Sequence, residues 1–100
     1  MSENESLSVE ANRFSSEAFS LAKDFLAEGA DREAIKVRAR EYQVRLPELS
    51  ARMAGAPAEL RPALNRVLAD ARLDLAYILA DGKLPSSTRL HFYLTEQARG

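Results

Sequence analysis

The chain contains no cysteine. Disulfide stapling, thiolate catalysis and sulfur-ligated metal are therefore excluded, and a reducing compartment is permitted. Histidine is almost as scarce. His91 stands alone, and the residue three before it is Thr88, so the Glu-x-x-His pairs of a di-metal helical bundle cannot be assembled. The four glycines never lie close together, which leaves no Gly-rich cradle for a phosphate. No apolar run approaches the ~18 residues of a membrane span. The opening MSENES is polar and acidic with no apolar stretch behind it, which argues against a secretory signal. Together these absences point to a cytoplasmic protein with no metal, no cofactor, no small-molecule substrate and no membrane.

What is present suits a single domain. One hundred residues, 46% hydrophobic and 29% charged, can hold one modest core but not two. Ala and Leu fill 31 positions, and 11 of the 14 basic residues are Arg. That composition goes with GC-rich coding and reads as bacterial.

The apolar spacing predicts helices. Leu7, Ala11, Phe14, Ala18, Leu21 and Phe25 alternate steps of four and three. So do Ile35, Ala39, Tyr42, Leu46, Leu49 and Met53, and a third stripe runs from Leu60 through Leu64, Val67, Ala71 and Leu75 to Ile78. Sustained four-three alternation marks helices packed at shallow angles in a bundle. Gly29, Gly55 and Gly82 each follow such a run and are expected to end it at C′ in the left-handed conformation. The expectation is an all-α antiparallel bundle in one domain, 1–100. Its three long helices cover about 6–28, 31–54 and 57–81, followed by a short helix over 86–98, and the whole associates as a dimer. The second helix is expected to kink near Pro47, or to break briefly there and resume in line, because the stripe keeps its phase across the proline. Pro57 suits the first position of the third helix.

Charge is unevenly spread. Residues 1–33 hold eight acids and three bases, and residues 34–72 hold eight bases and four acids. In the second helix Arg38, Glu41, Arg45, Glu48 and Arg52 form a ladder at three- and four-residue spacing. A ladder of that kind neutralises the row along a solvated face and leaves no free phosphate-tracking surface. Glu10, Glu17 and Asp24 make an acidic row on the first helix, able to face Lys36 or Arg40 or to dock a basic partner.

The C-terminal stretch SSTRLHFYLTEQARG raises the functional question. As a helix it puts Leu90, Tyr93, Leu94 and Ala98 on one face, with Phe92 on the opposite side and in water. As a strand it would line up Leu90, Phe92 and Leu94, but no second strand exists to pair with it. The trailing LTEQAR favours the helix. Ser86, Ser87 or Thr88 with His91 could in principle pair a nucleophile with a base. Starting a helix is the simpler role for these residues, no oxyanion loop accompanies them, and no catalytic residue is assigned. His91 could switch an interface with pH, but packing beside the aromatics is its simpler role. Residues 73–98 also have the outline of a helix-turn-helix DNA reader. Against it, the second helix carries more aliphatic and aromatic groups than base-reading ones.

Val37 and Val44 lie opposite the main stripe of the second helix, and Leu73 and Tyr77 lie off that of the third. Extra apolar faces on several helices are relieved most simply by a second protein surface. Leu90, Phe92, Tyr93, Leu94, Leu73, Tyr77, Val37 and Val44 are thus the candidate interface. The expected function is a non-enzymatic regulatory module binding a protein partner, itself included, and no nucleic acid.

Overall fold

A computed structural model describes residues 3–99 as four helices, α1 (Glu3–Leu26), α2 (Arg32–Ala54), α3 (Arg61–Leu79) and α4 (Thr88–Arg99). Residues 1, 2 and 100, the extremes of the expected domain, lie outside the described residues. Among the described residues there is no strand, so the short C-terminal element is the helix and not the strand alternative. Without a partner edge, alternation over 89–95 has nothing to pair with, and the Leu–Thr–Glu–Gln–Ala–Arg run carries the helix on to Arg99.

Short connections turn α1, α2 and α3 back on one another, as antiparallel neighbours require. The four-three stripes meet in one core, with Ala11, Phe14, Ala18, Ala39, Met53, Leu75 and Ile78 almost wholly removed from water. α3 lies at the centre. It packs extensively along both α1 and α2, whereas α1 and α2 touch each other less, and α4 rests on α1 and α3. That position accounts for Leu75 and Ile78 being buried and Ala76, Tyr77 and Leu79 half-buried in the LDLAYILA segment, while Leu73 stays exposed.

Helix ends follow backbone chemistry closely. Asp31 caps α2, its carboxylate accepting the Ala34 N–H at 3.1 Å. α2 then runs unbroken through Pro47, so the residues on either side remain one helix. α3 begins at Arg61 and not at Pro57, a correction with a clear cause. A helix starting at residue 57 would hold Pro62 in its interior, where the ring meets the carbonyl four residues back. Starting at Arg61 instead places Pro62 in the first turn, and Pro57 opens a separate turn that closes with Leu60 N–H on the Pro57 carbonyl at 3.0 Å.

The exit from α3 differs from expectation too. Gly82 donates to the Tyr77 carbonyl at 2.8 Å and Asp81 to that of Ile78 at 3.1 Å, the bond pair of a Schellman motif. Asp81, at φ 56°, therefore occupies the left-handed C′ site, and Gly82, at φ 77°, is the residue after it. Asp is one of the few side chains that tolerate this region. Lys36 reaches over from α2 and bonds the Asp81 carboxylate at 2.6 Å. That hydrogen bond holds the Asp81 carboxyl below its ordinary range and raises the Lys36 ammonium. Gly29 is left-handed as expected, but Gly55 caps α2 at φ −84°, in the right-handed region.

Candidate functional site

α4 is attached to the body by a polar cluster that apolar spacing does not reveal. Ser87 precedes the helix and caps it, its hydroxyl oxygen accepting the Leu90 N–H at 3.2 Å. The same hydroxyl donates to Oδ1 of Asp74 at 2.6 Å. Arg89, in the first turn, donates from Nε and Nη2 to Oδ2 of Asp74 at 2.9 and 2.6 Å. Its Nη2 also reaches the Ser15 carbonyl of α1 at 3.0 Å, and the guanidinium lies 4.8 Å from the centre of the Phe19 ring. Asp74 and Ser87 are fully buried. Burial pushes the Asp74 carboxyl above its ordinary pKa, while the Ser87 hydroxyl and the Arg89 charge pull the other way. Among the described residues no buried side-chain polar atom lacks a partner.

This cluster sets the orientation of α4. Leu90 enters the core and is completely covered. Tyr93 and Leu94 are half-buried against it, with Tyr93 edge-on to Phe19 at 6.4 Å between ring centres and Lys23 lying over Phe19. Phe92 points the other way and is 64% exposed. His91 also lies on the exposed side, not packed among the aromatics as its sequence neighbourhood suggested.

The eight candidate interface residues thus fall into two groups. Leu90, Tyr93, Leu94 and Tyr77 pack within the chain; Tyr77 lies against the α3 exit, where a Cβ on Gly82 would stand 3.2 Å from its hydroxyl. Phe92, Val37, Val44 and Leu73 face water, Val44 at 79%. Val37 and Val44 sit two turns apart on α2, which makes no contact with α4. The exposed residues therefore do not form one patch across α2 and α4. Two further exposed apolar side chains, Val9 on α1 and Leu84 on the α3–α4 connection, were missed. Val9 falls off the stripe and Leu84 outside any helical period, so only their isolation could have marked them.

The charged rows of α1 and α2 turn toward each other. Arg52 bonds Glu10 at 2.6 Å, and Glu17 and Arg38 lie beside Tyr42, whose phenol is raised chiefly by burial. Arg45 lies 5.4 and 5.2 Å from the ring centres of Phe14 and Tyr42, which themselves pack edge to face at 5.5 Å. Arg45 and Arg52 thus form a seam between α2 and α1. Lys36, offered as a partner for the acidic row, pairs with Glu33 and Asp81 instead.

Among the described residues no cluster of His, Asp or Glu is placed to hold a metal, and no helix is long and apolar enough to cross a membrane. No family model matches the chain, and no curated protein or solved structure matches it.

Proposed function

We propose that the chain is a small cytoplasmic, non-enzymatic regulatory module that binds a partner protein, and also itself, and occludes or scaffolds it through apolar helix faces. In physical type it is comparable to antiactivators, secretion chaperones and immunity proteins, a likeness of size and class alone. Phe92 carries the reading. A large aromatic is held outward on a helix whose other side is fixed by a hydrogen-bonded ion pair between part-buried Arg89 and buried Asp74, so the ring cannot roll inward without breaking that pair. Aromatic anchors presented from rigid elements are what central interface pockets receive. A helix-turn-helix reader over residues 73–98 is less well supported. Its Arg89 is committed to Asp74, and residues 80–87 exceed the roughly three- to four-residue turn of such motifs.

The test is a nuclease-treated pull-down from host lysate with wild-type protein and Phe92→Ala. A specific protein retained by the first and lost from the second, with the melting temperatures equal, supports the proposal. Retention that disappears with nuclease and falls steeply with salt would instead identify a nucleic-acid binder.

A further inference from the structure

We infer that the seat of α4 on α1 and α3 is also an interchain docking site, occupied by α4 of a second copy, so that two chains associate by reciprocal exchange of this arm. The inference rests on the self-associating interaction module proposed above and specifies its geometry.

The seat is selective. It presents a buried carboxylate, Asp74, the Ser15 carbonyl and a core recess filled by Leu90. An occupant must bring a guanidinium, a capping hydroxyl and an apolar side chain in the register of Ser87, Arg89 and Leu90. The second copy's α4 carries that set, and its Arg89 supplies the cation that the buried Asp74 requires.

The arm is also the least extensively packed of the four helices. It touches α1 and α3 only, and those contacts are sparse beside the packing within the three-helix body. A helix of 12 residues is marginal alone in water, so release unfolds it locally while the core of α1–α3 persists. Between Lys83, whose N–H bonds the Ala80 carbonyl, and Ser87, residues 84–86 make no hydrogen bond. Leu84 sits on that hinge, half exposed. When arms exchange, the two hinges run past each other, and these leucines lie where the chains cross. The closed monomer leaves that apolar contact to water, and exchange covers it. Every bond of the closed form is remade in the exchanged form, which makes this a low-cost route to a dimer.

The absence of cysteine makes the test direct. The Lys23 ammonium lies 6.0 Å from the centre of the Tyr93 ring, so cysteines at these positions report where α4 sits. Full-length Lys23→Cys and Tyr93→Cys chains are mixed at high concentration, diluted, treated with a short bifunctional maleimide and run on a denaturing gel. Exchange predicts a covalent heterodimer that neither variant yields alone, increasing with the concentration of the mixing step. In parallel, the Lys23→Cys/Tyr93→Cys double variant shows that α4 is docked at all. If the double variant closes only on itself at every concentration and the mixture yields no heterodimer, the inference is overturned. A dimer by size with solely intrachain cross-links overturns it as well, yet leaves the interaction module standing. Failure of the module itself shows separately, as no protein captured in the pull-down.

Discussion

Asp74 and Phe92 are each set against their environment, one a charge inside and the other an aromatic ring outside. Asp74 falls three residues after Ala71 and four before Ile78, on the apolar rhythm of α3, and that was the signal available in the sequence for its burial. Its partners gave none, since Ser15, Ser87 and Arg89 are types that usually face water. A buried ion pair adds little net stability, but removing one member leaves the other uncompensated at about 3–5 kcal/mol. Arg89→Met should therefore destabilise the protein strongly, and in a pH-dependent way. With the guanidinium gone, burial drives the Asp74 pKa further above its unfolded value. The contribution of this group is then complete below the unfolded pKa and lost as pH rises through the folded one. Thermal melts of Arg89→Met should fall from mild acid to neutral pH more steeply than those of wild type, and parallel profiles would refute the assignment. Leu90 and Phe92 provide the complementary contrast. Leu90→Ala should cost about 2–5 kcal/mol by opening the core, whereas Phe92→Ala should stay within about 0.5 kcal/mol in denaturant titration.

At the level of elements, the four-three stripes specified which helices exist and which faces they bury, because burial repeats with the helical period over two dozen residues. Ends were less legible, being decided by single backbone groups. Pro57 and Pro62 each could start α3, and the choice turned on which carbonyl the second ring would strike. Gly55 and Gly82 each follow a helix, yet only Gly82 is left-handed, and there it stands one place after the residue that makes the turn. These two sites give opposite expectations. Gly82→Ala strains a positive φ and crowds the Tyr77 hydroxyl, and should destabilise by more than about 1 kcal/mol. Gly55→Ala keeps a right-handed φ and meets only the Arg52 carbonyl at 3.5 Å, and should stabilise by about 0.4–1 kcal/mol. Equilibrium denaturation of the pair checks both, and equal shifts would contradict the assigned conformations.

For the molecule as a whole, sequence reasoning recognised that apolar faces exceed what a simple bundle hides, but it could not say which are used internally. That depends on which helix is central. α3 being central absorbs Tyr77, and α4 lying on α1 and α3 absorbs Leu90, Tyr93 and Leu94. α2 stays peripheral and keeps Val37 and Val44 outside. The uneven packing also sets a ranking of local stability. Native-state hydrogen exchange should find α4 amides opening at lower free energy than those of α3, whose centre should exchange only with global unfolding. Equal protection across both helices would show that the arm is not a separable unit.

The central position of α3 also bears on the order of folding. No two of the other helices can pack fully before α3 is in place, so the barrier-crossing ensemble should contain its midsection with stretches of α1 and α2. Truncating Leu75 should then mainly slow refolding, whereas truncating Leu90 should leave refolding nearly untouched and hasten unfolding. A chain emerging from the ribosome would pass through a three-helix stage in which Asp74 has yet to meet its arginine, whether that arginine comes from its own last helix or from another copy's.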